Sequence, residues 1–114
     1  DILHRVNMNY IVRRYTDGLD ECREWNTVLS PGEQQRLGFA RLLYQKPKFA
    51  IVDEATASLD QENEDKMYQE CQKDRITFIS VAHRDSLHKY HNQMLQVKKG
   101  QSWTLSQRQL MSLQ

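Results

Sequence analysis

The spacing of apolar residues changes repeatedly along the chain, and each change predicts an element. Ile2, Val6 and Tyr10 stand at near-helical spacing, so residues 1–14 read as helix with a break at Asn7-Met8-Asn9. Residues 16–26 lose that period and contain the turn signal Asp17-Gly18, which predicts a loop anchored by Trp25 and Val28-Leu29. Leu37, Ala40 and Tyr44 restore a helical repeat, widened by Phe39 and Leu43; the helix is predicted from Pro31 to Tyr44 and stopped by Lys46-Pro47. The apolar run at 48–52 then predicts a buried parallel strand. Residues 61–73 read as a helix with Met67, Tyr68 and Cys71 facing inward, and residues 76–81 as a second strand. Strand, helix and strand in that order imply a parallel pair joined by a right-handed crossover. A short helix at 84–90, a hairpin from 93–97 and 102–105 around Lys98-Lys99-Gly100-Gln101, and a last helix at 107–113 complete an α/β chain. Trp103 is read as a core anchor in preference to a partner contact.

Two places in this pattern carry chemistry. Ser30 is a good N-cap, Pro31 suits the first helical position, and Glu33 completes a capping box. The helix start also holds Gly32, which lets backbone approach a ligand closely, and its unpaired amides and dipole attract anions. Taken alone, the same residues do no more than cap a structural helix. At the end of the predicted strand stand Asp53 and Glu54. An unpaired buried charge is expensive, so two acids there suggest work: Asp53 can hold magnesium through water, and Glu54 can act as a general base on an attacking water. The alternative is that both acids are solvated in the following loop.

Four segments in order resemble the ATP-binding-cassette (ABC) ATPases. Leu29 to Arg41, reading LSPGEQQRLGFAR, is similar to the family's signature motif. Phe49 to Glu54 resembles its Walker B strand with a catalytic glutamate. Ala55-Thr56-Ala57-Ser58-Leu59-Asp60 resembles the D-loop, and Ile79 to Arg84 the switch-histidine segment. The resemblance implies the C-terminal half of a P-loop NTPase domain, with residues 1–45 closing a helical subdomain and 46–114 forming the second half of the catalytic core. It also implies roles. Ser30, Gly32 and Glu33 would meet the γ-phosphate and ribose of ATP bound to the opposite subunit. Asp53 would help hold Mg2+, Glu54 would polarise the hydrolytic water, Asp60 would couple the two sites across the dimer, and His83 would stabilise transition-state charge. Phosphoryl transfer depends mainly on such positioning and charge stabilisation. The sequence departs from the family at Pro31, where a glycine is usual, and at Ala57-Ser58, where Ser-Ala is commoner. The Trp25 to Glu33 block, the Thr77 to Arg84 block and Leu87 to His91 resemble subfamily D and its bacterial relatives.

The chain has four glycines, and none opens a Gly-x-x-x-x-Gly-Lys-Ser/Thr phosphate loop. It begins at Asp1 without an initiator methionine. The expectation is therefore a segment of a longer protein, with the phosphate loop and a transmembrane domain outside it: a sheet missing its first strands leaves a raw hydrophobic edge, so the segment folds poorly or needs its missing half, and alone it does not hydrolyse ATP. Net charge is +1, which argues against a strongly electrostatic nucleic-acid binder, so no nucleic acid is expected as a partner. Cys22 and Cys71 match no metal spacing and fit a reducing, cytosol-facing domain. His4, His88 and His91 are read as surface or packing residues. No run has the length of a membrane helix.

The resemblance implies an ATPase powering transport, with ATP and Mg2+, a second nucleotide-binding domain, and a transmembrane domain in the same or a partner chain. It implies the cytosolic face of a peroxisomal, lysosomal or bacterial inner membrane. The alternatives are a soluble ABC-class ATPase of DNA repair, chromosome organisation or translation, and a non-catalytic fragment. Residues 1–28 lack the sustained heptads of the chromosome-associated type.

Overall fold

The computed structural model describes residues 1–100 and 102–108. They form two compact units, residues 1–82 and the segment from His83 onward.

In the first unit, α1 (Ile2–Arg5) and α2 (Tyr10–Arg14) are separated at the predicted break. Asn7 turns left-handed there with φ 57°, a conformation that asparagine tolerates better than most residues. The break is held from three sides. Arg36 Nη1 donates to the Asn7 carbonyl at 2.7 Å, Lys66 Nζ donates to its Oδ1 at 2.5 Å, and its amide donates to Asn63 Oδ1 at 3.1 Å. Val6 and Met8, on either side, are fully buried. The predicted loop at 16–26 is partly helical: a 3-10 turn covers Gly18–Asp20, and α3 covers Trp25–Val28. Trp25 stacks edge-on against Tyr15 with 5.6 Å between ring centres, a contact that local sequence does not announce.

Helix α4 (Pro31–Gln45) ends where Lys46 enters the left-handed region at φ 47°. Its buried face is Phe39, Ala40 and Leu43. Tyr44, expected on that face, is 79% exposed. Strand β1 (Phe49–Asp53), helix α5 (Gln61–Lys73) and strand β2 (Thr77–Val81) follow. The strands pair parallel, with Ile51 opposite Ile79 and Asp53 opposite Val81. Met67, Tyr68 and Cys71 of α5 are all buried, as their spacing predicts. Tyr68 meets Phe39 and Phe78 edge-on, and its hydroxyl lies 3.0 Å from Ser80 Oγ.

The expectation of a buried strand is corrected. Successive side chains on a strand point to opposite faces. Ala50 and Phe78 face the core, whereas Phe49 and Ile51 are 72% and 77% exposed, and Ile79 and Val81 on β2 share that open face. Apolar on both faces, these strands have the composition of a sheet covered twice, but among the described residues only one face is covered.

The second unit contains the expected short helix, of the 3-10 type, over Asp85–Tyr90, and the antiparallel hairpin β3 (Gln93–Val97) and β4 (Trp103–Gln107). Gly100 takes φ 88° in the connecting turn, a region open to glycine. Leu87 is buried. Trp103 is not a core anchor: it is 65% exposed and lines an open apolar hollow with Leu95 and Val97. Strand β4 runs through Gln107, where the last helix was expected to begin, and the rest of that expectation lies outside the described residues. Among the described residues no helix is long and apolar enough to cross a membrane.

Candidate functional site

The start of α4 is built as its residues predict. Ser30 Oγ accepts from the Glu33 amide at 3.2 Å, and the Ser30 amide donates to Glu33 Oε1 at 3.0 Å. The other Glu33 oxygen accepts from the Tyr10 hydroxyl at 2.5 Å, and Arg36 Nη2 donates to that same hydroxyl at 3.2 Å. The Tyr10 hydroxyl, with the Ser30 amide behind it, holds the Glu33 carboxyl below its ordinary range. Burial and then the bond to Glu33 push the Tyr10 phenol up. Ser30 itself is exposed.

Asp53 ends β1 exposed to solvent, and the half-buried Glu54 follows it. Glu54 sits at φ 49°, a strained conformation for a residue with a Cβ. Its amide donates to the Val81 carbonyl at 2.8 Å, continuing the β1–β2 ladder by one bond, and its carbonyl accepts from the Ala57 amide at 3.2 Å. The turn from Glu54 to Asp60 thus leaves the sheet at a defined angle. Asp60 closes it as the N-cap of α5, accepting from the Asn63 amide at 2.8 Å.

The helix start and this turn are in contact. A Cβ on Gly32 would lie 3.1 Å from the Ser58 carbonyl and 3.6 Å from Leu59 Cδ2, so glycine is what allows the close approach. The Gln35 side chain bridges the same interface, donating from Nε2 to the Glu54 carbonyl at 3.3 Å and accepting at Oε1 from the Ser58 amide at 2.9 Å. Beneath the turn, Thr56 Oγ1 donates to Glu64 Oε2 at 2.7 Å, with both residues buried. Sequence reasoning assigned no task to Gln35, Thr56, Glu64 or Tyr10. Gln35 lies inside the signature segment and Thr56 inside the D-loop, but only the fold shows what they touch.

Ser30, Gly32, Glu33, Asp53, Glu54 and Asp60 all belong to the first unit, and the α4 start adjoins the Glu54–Asp60 turn within it. His83 is the first residue of the second unit and is exposed. Among the described residues there is no group of three or more His, Cys, Asp or Glu suited to enclose a metal. A lone exposed carboxylate such as Asp53 fits magnesium better than most metals, because magnesium keeps several waters and takes further oxygens from phosphates.

A parallel strand pair with its crossover helix, and a capped helix start against the turn beyond the first strand, are the arrangement expected of the C-terminal half of a P-loop NTPase domain, and the family match agrees with it. The chain belongs to the ABC transporter family, whose family model matches residues 2–57. It is 50% identical to ABC transporter D family member 2, chloroplastic, of Arabidopsis thaliana, over 83% of this chain and 13% of that protein. The lysosomal cobalamin transporter of Mus musculus is 48% identical over 91% of this chain and 17% of its own length. An uncharacterized ABC transporter ATP-binding protein of Synechocystis is 42% identical over 93% of this chain and 16% of its own length. The chain therefore spans less than a fifth of these relatives, and it is part of a subfamily D nucleotide-binding domain.

Proposed function

We propose that this chain supplies the signature helix, the magnesium carboxylate and the general base of an ATPase that drives a substrate across a membrane. The observation that carries the reading is the seating of the capped α4 start on the turn that begins with Glu54. A group that senses the γ-phosphate and a group that activates water are thereby mechanically joined.

The roles follow from chemistry and family resemblance. Ser30 and Gly32 offer a hydroxyl and a helix-start backbone to the γ-phosphate of ATP held by a second nucleotide-binding domain. Glu33 contacts the ribose with the acceptor capacity that each carboxylate oxygen retains beyond one bond. Asp53 holds Mg2+, which supplies charge neutralisation at the phosphates when bound. Glu54 takes the proton of the attacking water, and His83 donates toward the γ-phosphate as charge develops. Asp60, fixed at the start of α5, couples one site to the other across the dimer.

Residues 1–45 are then the end of the helical subdomain and 46–114 the second half of the catalytic core. The phosphate loop lies in the remainder of the full-length protein, whose helices cover the open face of Phe49, Ile51, Ile79 and Val81. An exposed apolar surface of this kind marks a contact made elsewhere. The domain works at the cytosolic face of a membrane, paired with a second copy or a homologue and joined to a transmembrane domain. The transporter reading is preferred to a soluble ABC ATPase because relatives 48% and 50% identical to this chain bear transporter names.

The test uses the full-length protein. Glu54→Gln is expected to stop turnover while ATP-driven dimerisation persists; unchanged hydrolysis would remove Glu54 from its role. Ser30→Arg is expected to block closure of the dimer with little effect on initial nucleotide docking. His83→Ala is expected to slow hydrolysis by about a hundred-fold or more, the usual effect of losing a positioned electrostatic donor.

A further inference from the structure

We propose that Gln35 is a positioning residue for hydrolysis, fixing the main chain of Glu54 from the signature helix of the same chain. The inference rests on the assignment of Glu54 as general base and adds a residue that acts through it.

Glu54 is held in a left-handed conformation that costs a residue with a Cβ on the order of 1–3 kcal/mol, so surrounding contacts must enforce it. On the strand side its amide is fixed by the Val81 carbonyl at 2.8 Å. On the helix side its carbonyl receives Gln35 Nε2 at 3.3 Å. The same Gln35 amide accepts from the Ser58 backbone at 2.9 Å, so one side chain grips both limbs of the turn. A carboxamide is the group that can do this, because it offers a donor and an acceptor side by side. Gln35 lies on the first turns of α4, five residues beyond Ser30, and Gly32 removes the Cβ that would push the Ser58 carbonyl away. A displacement of the α4 start by a bound phosphate is therefore delivered to the backbone of the base within one rigid contact. The link is intramolecular: the helix that reads a nucleotide on the opposite subunit also orients the glutamate serving its own.

The experiment is steady-state and single-turnover ATP hydrolysis by the full-length protein carrying Gln35→Met, Gln35→Glu, Glu54→Gln, or Gln35→Met with Glu54→Gln. Gln35→Met keeps the length and loses both hydrogen bonds. Gln35→Glu keeps an acceptor for Ser58 but sets a carboxylate against the Glu54 carbonyl. Both are expected to lower kcat by about 10- to 100-fold, the cost of misplacing a reacting group by a fraction of an ångström to an ångström, while KM for ATP stays within about twofold. Gln35→Met is expected to add no further loss to Glu54→Gln, because the two act as a unit. Wild-type kcat in either Gln35 variant, or an equal fold-loss with and without Glu54, overturns the proposal. Loss of folding in both Gln35 variants also overturns it, since Gln35 is then a packing residue. Full turnover by Glu54→Gln instead defeats the assignment of the base, which separates the two failures.

Discussion

Thr56 Oγ1 donates to Glu64 Oε2 across 2.7 Å, and neither residue is reached by solvent beyond 2%. The bond ties the middle of the Glu54–Asp60 turn to the first turns of α5. A buried carboxyl oxygen that loses its donor is left unsatisfied, which costs more than the bond contributes when intact. Thr56→Val keeps the shape and deletes the hydroxyl. It is expected to lower local stability by about 1–3 kcal/mol, seen as amide hydrogen exchange in α5 faster by roughly tenfold or more. Replacing both partners, as Thr56→Val with Glu64→Leu, is expected to recover much of the loss.

Gly32 gives a steric prediction. Alanine there gains up to about 1 kcal/mol of helix propensity, which offsets part of the crowding against the Ser58 carbonyl. Valine gains less and adds two methyl groups at the same contact. Gly32→Val is expected to destabilise the domain by about 1–3 kcal/mol and to depress hydrolysis, measured as thermal midpoint and kcat.

Arg5 ties α1 to α5. Its Nε donates to Glu70 Oε2 at 2.5 Å, and its Nη atoms take both Asp74 oxygens at 2.9 and 3.0 Å. The Arg5 bond holds Asp74 below its ordinary value. Burial pushes Glu70 up, but donation from Lys73 and Arg5 outweighs it and leaves the carboxyl lowered. Carboxyls with depressed folded values stabilise fully above their unfolded values of about 4, and the contribution disappears as pH falls through the folded ones. Arg5→Met is expected to cost roughly 1–3 kcal/mol at neutral pH, the range for hydrogen bonds to charged groups. The gap from wild type is expected to hold from neutral pH down to about 4 and to close as pH falls further, followed by thermal unfolding across that range.

The two cysteines are expected to react differently. Cys22 is exposed, whereas burial pushes the Cys71 thiol up to about 12. Thiolate is the reactive form. Iodoacetamide at neutral pH is expected to alkylate Cys22 in the native protein and Cys71 only after denaturation, as read by peptide mass mapping. Labelling of Cys71 in the folded protein would show that α5 opens readily.

The local elements were legible from the chain alone because their causes are local. Ser30, Pro31 and Glu33 form a capping box wherever they start a helix, and the structure has it. The periodicity of Met67, Tyr68 and Cys71 named the inner face of α5, and strand–helix–strand order predicted a parallel pair. The motif residues from Ser30 to Asp60 were recognisable in order, and the fold places them in one unit.

Tertiary structure decided the rest. Tyr44 has the spacing of a core residue yet faces solvent, because burial depends on what packs against α4. Trp103 has the composition of an anchor and lies open on a hairpin, and the apolar residues of β1 and β2 are covered on one face only. The bridge from Gln35 to Glu54 and Ser58 joins residues 19 and 23 apart in sequence. No propensity encodes such a contact; it exists because the chain reverses between α4 and β1, which brings the turn beyond β1 back to the start of α4, where glycine leaves room for it.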